Sequence, residues 1–501
     1  MYEKEQIIKK VLIANRSEIS SRIQTACHSN GIETVAIYTQ EDQTSPYIFE
    51  STENHKLSQN GYAGYLDQNE IISIAQKTNS DAIHPGYGFL SENNVFAQKV
   101  IDADLNWIGP DPKSIKLMGN KTAARNIMKN ANVPIIPGKS FEEKDFFSAQ
   151  KFAQKIKYPI MLKASMGGGG KAMRVLHENS EFETAWNIVI SESKKFFNSS
   201  ELIVEKYIKN GRHIEIQIAG DGANVVHMFE RECSIQRRNQ KIIEETSCNF
   251  VSKKTLEKLY ATAIAAAQSI SYKNIGTVEF IVTPEENFYF LEMNTRLQVE
   301  HSVTEATTGI DLVSLQLHIA QHSQLPFAQS DVAQKNHAIE CRIYSEDPEN
   351  NFAPSCGSIN ILQLPHKPFT RIDHDLEEGK KISPFFDPMI AKITTYGNTR
   401  TAAIAHMNNT LRSTVIGGIH TNISFLQNLI NSHDFISGNF HTQFLNTTKI
   451  NEINVQQEKN TSKNTVVKTE FLKIYSQLEQ TTNSKNKSNT HNSNWKSQQW
   501  Q

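Results

Sequence analysis

The feature that most constrains the fold of this chain is a predicted β-hairpin followed at once by a dense polar stretch. Residues 278–282 and 288–291 are β-rich runs, and the polar segment between them predicts the turn. With the centre of the turn placed between residues 285 and 286, Glu279 lies directly opposite Glu292. The hairpin therefore predicts which side chains share one face of a sheet.

Glu279, Glu292 and Asn294 form a candidate metal site on that face. Directly opposed residues have Cβ atoms roughly 5 Å apart, so two carboxylates repel unless a cation lies between them. Asn294 follows Glu292 by two positions and shares its face. Oxygen ligands of this kind suit Mg²⁺ that keeps waters and binds substrate phosphates. The alternative is a solvated acidic hairpin face, but the nearby Arg296 and Glu300 favour the metal site.

Length and charge restrict the class of protein. At 501 residues the chain is long enough for about three domains. The formal charge of −1, from 52 basic and 53 acidic residues, predicts no bulk attraction to nucleic acid or to a membrane surface. No apolar run approaches the ~18 residues that span a bilayer, and the N-terminus resembles neither a signal nor a transit peptide. We expect a cytoplasmic enzyme whose five scattered cysteines are reduced thiols.

The N-terminal region predicts an α/β domain. Residues 10–15 and 34–38 are buried-strand patterns separated by a helical pattern, which is a βαβ unit. It contains no GxGxxG turn and so is not a dinucleotide fingerprint. A glycine-rich polar loop, 84–93, follows the strand at 82–83. Open α/β sheets place ligand sites at such strand ends, although turn chemistry alone also explains the loop.

A second candidate site is the segment 158–176, where a strand carries Lys163 into the consecutive glycines 167–170 and a second strand returns. Glycines let backbone N–H groups approach phosphate oxygens, and the lysine supplies charge. The alternative is a flexible linker, but linkers seldom separate two apolar β runs by so few residues. The residue order is not that of a Walker P-loop. Lys121 begins a helical pattern, and a single lysine in such a pattern usually lies exposed on the surface without a specific role.

Three further patterns carry polar side chains. Residues 202–208 predict a strand whose end has backbone groups suited to an adenine edge. Residues 213–218 alternate, so His213 and Glu215 share one face while the isoleucines face the core. Residues 230–241 are rich in charge and are either an anion site or, as is commoner for such runs, a solvated face.

In this order, these segments resemble the biotin carboxylases, the ATP-grasp subunits or domains of biotin-dependent carboxylases. The resemblance covers residues 7–445. Its most specific motifs are HPGYGFLSEN (84–93), LKASMGGGGKAMR (162–174), ERECSIQRRNQK (230–241), EMNTRLQVEH (292–301), HAIECRIYSEDP (337–348) and FFDPMIAKI (385–393).

The resemblance implies a fold of mixed α/β and α+β class. A parallel α/β domain would occupy 7–117, and an ATP-grasp domain would occupy 118–325, with a mobile glycine-rich lid at about 136–208. A mixed α+β C-terminal domain would occupy 336–445. The tail, 451–501, is rich in Asn, Ser, Thr, Gln and Lys, and we expect it to be disordered.

The resemblance also implies the reaction and its partners. ATP and bicarbonate would give carboxyphosphate, whose CO₂ passes to the ureido nitrogen of carrier-bound biotin, with Mg²⁺ or Mn²⁺ accompanying ATP. The chain has no carrier motif, a modified lysine between methionines, so the biotin carboxyl carrier protein should be a separate chain. Carboxyltransferase subunits and a second copy in a homodimer are the other implied partners.

By matched position, the resemblance assigns ATP contacts to Lys121, Lys163, Gly169, Gly170, Glu205, Lys206, Tyr207, Ile208, His213, Gln236 and Asn239. It assigns the metal to Glu279, Glu292 and Asn294. It assigns bicarbonate to Lys241, Arg296 and Val299, the role of base to Glu300, and contact with biotin or carboxyphosphate to Arg342.

The chain departs from the family pattern at several positions. Asn239 stands where histidine is usual, Ala172 replaces a lid glycine, and Ser302 follows His301 where proline is usual. Residues 246–249 replace an alanine- and proline-rich stretch. Two other hypotheses therefore stay open: another ATP-grasp ligase that joins a carboxylate to an amine, and a non-catalytic scaffold with decayed nucleotide contacts.

Overall fold

The structure, a computed structural model, describes residues 7–166, 172–248 and 250–447. Gly169 and Gly170 of the glycine-rich loop lie outside the described residues, as does the tail 451–501. Among the residues that are described, no helix is long and apolar enough to cross a membrane.

The N-terminal region is built on a five-stranded parallel sheet with the strand order β3-β2-β1-β4-β5. Its elements are β1 (Lys10–Ile13), α1 (Ser17–Ser29), β2 (Glu33–Tyr38), α2 (Pro46–Glu50), β3 (Glu53–Lys56), α3 (Gly61–Gly64), α4 (Gln68–Lys77), β4 (Ala82–His84), α5 (Asn94–Asp102), β5 (Asn106–Trp107) and α6 (Pro112–Gly119). The apolar residues of β1 and Val35, Ala36 and Ile37 of β2 are fully buried, as expected for parallel strands covered on both faces. The predicted α/β class of this region is confirmed.

The polar loop 84–93 leaves the C-terminal end of β4 and ends in a capped helix. The side chain of Asn93 accepts a hydrogen bond from the Phe96 N–H at 2.9 Å, which satisfies a free donor at the start of α5. The loop is therefore anchored at both ends and presents its middle residues at the edge of the sheet.

A four-stranded antiparallel sheet, order β6-β9-β7-β8, follows. Its elements are α7 (Lys121–Asn130), β6 (Gly138–Phe141), α8 (Phe146–Ile156), β7 (Ile160–Ala164), β8 (Met173–Leu176), α9 (Phe182–Phe197) and β9 (Leu202–Lys206). Ile160 and Leu162 pack in one core with Trp186 and Val189 of α9. Lys163 alternates with them along β7 and so belongs to the other face of the sheet.

The central elements are β10 (Arg212–Asp221), β11 (Val225–Arg237), β12 (Gln240–Thr246), α10 (Lys253–Gln268), β13 (Lys273–Val282), β14 (Phe288–Asn294), α11 (His301–Thr308) and α12 (Leu312–His322). The C-terminal elements are β15 (His337–Tyr344), β16 (Glu346–Asp347), β17 (Ala353–Pro354), β18 (Gly357–Ser358), β19 (Ile361–Gln363), β20 (Thr370–His374), β21 (Lys381–Ile382), β22 (Met389–Gly397), α13 (Arg400–Ser413), β23 (Val415–Gly417), α14 (Ile423–Ile430), α15 (His433–Ser437) and α16 (Phe444–Thr447).

One eight-stranded sheet joins these two groups in the order β14-β13-β10-β11-β12-β15-β22-β20. Because β12 pairs directly with β15, the sheet continues across residues 325–336, where the sequence suggests a domain boundary. Residues on β10 and β13 are thereby held in one frame with residues on β15.

The β13–β14 hairpin has the predicted pairing of Glu279 with Glu292 but reaches it by a different route. Pairing starts at Val282 and Phe288, so the turn is centred on residue 285 rather than between 285 and 286. A bulge at Leu291 then shifts the register by one residue. The predicted turn centre is wrong by half a residue, and the bulge compensates for the error.

The polar faces of β10 and β11 are buried rather than solvated. Ile214 and Ile216 point into a core with α10, as predicted, but Glu215 on the opposite face is also fully buried. On β11, Arg231 is 0% exposed and Glu232 is 1% exposed. The interpretation as a solvated face is therefore wrong for residues 230–237, whose charged side chains are buried, whereas residues 238–240 are exposed.

Candidate functional site

One cavity of about 880 Å³ brings the predicted site residues together. Its walls come from the four-stranded sheet, the eight-stranded sheet and the polar loop after β4. The described site residues that line it are Lys121, Lys163, Glu205, Lys206, Tyr207, Ile208, His213, Gln236, Asn239, Lys241, Glu279, Glu292, Asn294, Arg296, Val299, Glu300 and Arg342. Residues predicted from segments far apart in the sequence thus meet at one place.

Lys241 on β12 is the central cation of the cavity. Its Nζ lies 2.5 Å from Glu215 Oε2, 3.0 Å from Glu279 Oε1 and 2.6 Å from Glu300 Oε1. Burial opposes the charge, but the three carboxylates raise the pKa of Lys241 well above its usual value. The side chain is therefore a fixed ammonium ion that ties three acidic residues together.

Glu279 is the most heavily bonded of these acids. Its Oε1 also accepts hydrogen bonds from Asn294 Nδ2 at 2.9 Å and Gln298 Nε2 at 2.8 Å, and its Oε2 lies 2.9 Å from His213 Nε2. Burial raises the pKa of Glu279, but Lys241 and His213 outweigh it and hold this pKa well below its usual value. Glu279 is therefore ionised and offers charged oxygens to the cavity.

Glu292 and Asn294 complete the candidate metal site. Glu292 is half-buried, lies opposite Glu279 and lines the cavity. Asn294 donates to Glu279, and its Oδ1 accepts from Arg296 Nη2 at 3.1 Å. All three donors to a cation here would be oxygens, and two of them are carboxylate groups, which is the chemistry that Mg²⁺ prefers. The residues therefore fit the metal.

The loop after β4 reaches this site through an ion pair. Arg296 Nε lies 3.0 Å from Glu92 Oε2. Burial opposes the charge of Arg296, but Glu92 raises its pKa above the usual value. Sequence reasoning missed this partner, because nothing local shows that residue 92 approaches residue 296.

Glu300 is bracketed by two cations. Its Oε1 contacts Lys241, and its Oε2 accepts a hydrogen bond from Arg342 Nη2 at 2.9 Å. Burial raises the pKa of Glu300, but Lys241 and Arg342 lower it well below its usual value. Arg342 Nε also donates to Glu244 Oε1 at 2.7 Å. The result is an ionised proton acceptor between two cations, which is a site that can hold an anion and take its proton.

The buried guanidinium of Arg231 connects the side chains that contact Lys241 and Glu279. Its guanidinium donates to Glu215, to Gln217 Oε1 at 2.6 Å, to Gln298 Oε1 at 2.7 Å and to the hydroxyls of Thr277 and Thr304, each at 3.0 Å. Glu215 and Gln298 in turn contact Lys241 and Glu279. Strand alternation placed Glu215 on the polar face, but no sequence signal identified Arg231 as its partner.

Lys163 on β7 and Glu205 on β9 join two neighbouring strands of the four-stranded sheet. Lys163 Nζ lies 2.6 Å from Glu205 Oε1, and Glu205 Oε2 lies 3.3 Å from Arg125 Nη1. Lys121 lies half-buried nearby, and desolvation lowers its pKa. The cavity therefore has lysines near Met166, the last described residue before the glycines, and we call this its glycine-rich end. Lys241 lies at the Glu300 end.

The end of β9 is held by backbone carbonyls. Lys206 Nζ donates to the Lys157 carbonyl at 2.8 Å, and the Tyr207 N–H donates to the Pro159 carbonyl at 3.2 Å. Both groups are thus engaged within the protein, although Lys206, Tyr207 and Ile208 all line the cavity.

Asn239 lies in a two-residue turn between β11 and β12. Arg238 and Asn239 have φ angles of 51° and 64°, and Arg237 pairs with Gln240 across the turn. Asparagine adopts this left-handed conformation more readily than most residues. Beside the turn, Gln236 Nε2 lies 2.7 Å from His213 Nδ1. The departure at position 239 therefore has a local reason in the backbone.

Models of three protein families match almost the whole of residues 7–447. The biotin carboxylase N-terminal domain matches residues 7–115, the carbamoyl-phosphate synthase L chain ATP binding domain matches 120–328, and the biotin carboxylase C-terminal domain matches 340–447. The chain is 45% identical over 441 residues to a biotin carboxylase of Halalkalibacterium halodurans, covering 88% of this chain and 97% of that protein. It is 44% identical over 438 residues to biotin carboxylase 2 of Bacillus subtilis, covering 87% and 98%.

Solved structures show the same similarity. The biotin carboxylase domain of the 2-oxoglutarate carboxylase of Hydrogenobacter thermophilus, a dimer in complex with MgADP, ADP and bicarbonate, superposes with a TM-score of 0.86 at 40% identity, covering 88% of this chain and 98% of that one. A biotin carboxylase from Campylobacter jejuni in complex with a β-γ-ATP compound also gives a TM-score of 0.86, at 37% identity, covering 89% and 100%. The chain therefore belongs to the biotin carboxylase family of ATP-dependent ligases.

Proposed function

We propose that this chain uses ATP and bicarbonate to carboxylate biotin on a separate biotin carboxyl carrier protein, as the first half-reaction of an acyl-CoA carboxylase. The observation that carries the proposal is Glu300 between Lys241 and Arg342, in the same cavity as the candidate metal ligands and the lysines of the glycine-rich end. Positioning and charge neutralisation are what phosphoryl transfer requires.

The proposed roles of the residues are arranged along the cavity from one end to the other. Lys121, Lys163 and the segment 205–208 would hold ATP at the glycine-rich end, with Gly169 and Gly170 supplying backbone N–H groups. His213, Gln236 and Asn239 would complete the nucleotide contacts. Lys241, Arg296 and Val299 would hold bicarbonate next to Glu300, within reach of the transferred phosphoryl group.

Glu300 would take the bicarbonate proton as a bicarbonate oxygen bonds to the terminal phosphorus and ADP leaves. In the ligand-free protein Lys241 and Arg342 stabilise the charge on Glu300 and make it a weak base. An anion bound between these cations competes for their charge, so it raises the proton affinity of Glu300 at the moment when a base is needed.

Glu279, Glu292 and Asn294 would hold Mg²⁺, or Mn²⁺ in its place. The ion would supply positive charge to the phosphate oxygens of ATP. The ionised state of Glu279 and the oxygen donor set support this assignment.

The partners are part of the proposal. The carrier protein would bring biotin to Arg342, and carboxyltransferase subunits would use the carboxybiotin. A homodimer is supported by the dimeric Hydrogenobacter thermophilus domain. The functional units would be residues 7–117, 118–325 with the lid at about 136–208, and 336–445, which the matches at 7–115, 120–328 and 340–447 support.

ADP release with and without bicarbonate tests the proposal. We expect bicarbonate and biotin to stimulate ADP release by the wild-type chain, and Glu300→Gln to abolish that stimulation while ATP binding measured by calorimetry stays nearly unchanged, because a carboxamide cannot accept the proton. Glu349→Gln, at an exposed position, is the matched control. A scaffold would release no ADP, and a ligase of another kind would need a different acceptor.

A further inference from the structure

A row of buried polar side chains crosses the eight-stranded sheet behind Arg342. Glu244 on β12 pairs directly with Glu340 on β15, and Glu340 pairs directly with Thr394 on β22. On the next row of the same face, Arg342 pairs with Lys392. We call Glu244, Glu340 and Thr394 the acidic row. Directly opposed residues on one face have Cβ atoms roughly 5 Å apart, so the two carboxyl groups are close neighbours.

Both carboxyl groups are 0% exposed, and each is only half satisfied. Glu244 Oε1 accepts from Arg342, and Glu340 Oε2 accepts from the hydroxyls of Ser302 and Thr394. Among the described residues, neither Glu244 Oε2 nor Glu340 Oε1 has a hydrogen-bond partner. Two buried carboxyl oxygens without partners, on directly opposed residues, would repel if both groups were ionised.

A single proton removes this conflict. A proton on Glu244 Oε2 would make that oxygen a donor on the residue directly opposite Glu340, while Glu244 Oε1 still accepts from Arg342. The hydroxyls of Ser302 and Thr394 stabilise negative charge on Glu340, which favours the proton on Glu244. We propose that Glu244 and Glu340 share one proton, and that this pair is a positioning device that sets the charge behind Arg342.

The surroundings are consistent with a shared proton. Arg342, Lys392 and Glu300 face the pair directly, and Glu18, Cys233, Cys341 and Tyr344 lie near it. Burial raises the pKa of Glu244 to about 8 against the opposing effect of Arg342, and burial also raises the pKa of Glu340.

The consequence concerns the cation that meets the substrate, and it rests on the role proposed above for Arg342. With one proton the pair carries one negative charge, located on Glu340, and Arg342 is held by a neutral carboxyl on one side and by Glu300 on the other. When the proton leaves at alkaline pH, a second negative charge forms on Glu244 and draws Arg342 away from the cavity. Anion binding at Arg342 should therefore weaken as the pH rises through about 8.

Ser302 supplies one of the two hydroxyls that contact Glu340, at a position where the family resemblance gives proline, which has no hydroxyl. Removing a hydroxyl donor from Glu340 destabilises its negative charge in both protonation states. The singly protonated pair relieves this by moving the proton to Glu340, whereas the doubly ionised pair cannot, so the pair should keep its proton to higher pH. The energy of a hydrogen bond to a charged group sets the upper limit of this shift at about one pH unit.

The test is the pH profile of kcat/KM for bicarbonate in ADP release. Wild type should lose kcat/KM as the pH rises through about 8. Glu340→Gln should lack this alkaline decline, because the carboxamide donates to Glu244 and leaves one fixed negative charge. Ser302→Ala should move the decline upward, by at most about one pH unit. Thr395→Val, which removes a buried hydroxyl bonded to the Ala403 carbonyl, should leave it in place.

A stability measurement gives an independent readout. The folded chain should hold one more proton than the unfolded chain above the ordinary pKa of glutamate and up to about 8, so wild-type stability should fall with rising pH relative to Glu340→Gln. If wild type is active but both variants keep its pH profile, the shared proton is refuted. If wild type shows no bicarbonate-dependent activity, the proposed function fails, and equal slopes of thermal stability against pH in wild type and Glu340→Gln would then refute the shared proton separately.

Discussion

Lys241 shows how a few residues define the chemistry of the cavity. Its ammonium group holds Glu215, Glu279 and Glu300 at hydrogen-bonding distance, so the candidate metal ligand Glu279 and the candidate base Glu300 share one cation. A substitution at Glu279 should therefore also affect Glu300 through Lys241, and the reverse.

The metal assignment predicts a shared effect of two substitutions. Glu279→Gln and Glu292→Gln should each raise the Mg²⁺ concentration needed for half-maximal ADP release, because each removes one carboxylate from the cation. Glu279→Gln should also raise KM for bicarbonate, since Glu279 contacts Lys241. Glu285→Gln, in the same hairpin turn, is the control. An unchanged Mg²⁺ dependence in both variants would rule out the opposed-pair metal site.

Asn239→His should lower KM for ATP. Histidine has a longer reach and can carry charge, and a hydrogen bond is worth about 0.5–1.5 kcal/mol, or roughly twice that when charge-assisted. We therefore expect a several-fold to about tenfold gain in ATP affinity, with little change in the response to bicarbonate. Titration of ATP by calorimetry checks it. A loss of affinity would mean that the left-handed turn at Arg238 and Asn239 has rebuilt this pocket around asparagine.

Strand alternation explains which site residues could be placed on a common face from the sequence alone. It placed Glu279, Glu292 and Asn294 on one face of the hairpin and His213 with Glu215 on one face of β10, using only a period of two. Partners from distant segments, such as Glu92 for Arg296 and Glu244 for Arg342, depend on how loops and sheets pack. No local pattern encodes that packing.

At the scale of elements, the buried guanidinium of Arg231 binds β10, β11, β13 and α11 together through Glu215, Thr277 and Thr304. Arg231→Met should lower the free energy of unfolding by about 3–5 kcal/mol, because it leaves buried charge on Glu215 with one fewer cation. Chemical denaturation measures this.

Arg238→Met is the control for that experiment, since Arg238 is exposed and its guanidinium donates to Asn351. An equal free energy of unfolding for the Arg231 and Arg238 variants would mean that Arg231 does not hold β10, β11, β13 and α11 together.

The hairpin shows the limit of element-level prediction. The two β runs and their polar turn were evident from composition, but the bulge at Leu291 was not, because a bulge depends on how the strand packs as well as on its pattern. The charged strand β11 shows the same limit, since its burial depends on partners from other strands.

At the scale of the whole molecule, the eight-stranded sheet joins the ATP-binding region to the C-terminal region, so Arg342 is fixed relative to Glu279 without a hinge in the sheet between them. The order of motifs along the sequence predicted which regions meet. The continuity of the sheet could not be predicted, because a pairing such as β12 with β15 is a long-range choice.

The purified chain should carry no covalent biotin, because its sequence contains no carrier motif. Intact mass spectrometry after expression with excess biotin checks this, with a known biotinylated carrier domain as the positive control. A mass increase equal to one biotin less one water, as expected for an amide-linked biotinyl group, would contradict a separate carrier.

The most direct test of the account is transfer of labelled carbon from bicarbonate to free biotin. With ATP and Mg²⁺ present, the wild-type chain should form labelled carboxybiotin slowly, because free biotin lacks the positioning that a carrier supplies. The label should be absent without ATP and with Glu300→Gln. Hydrolysis of ATP by the wild-type chain without any labelled biotin, across the bicarbonate and biotin concentrations that saturate ADP release, would contradict the account.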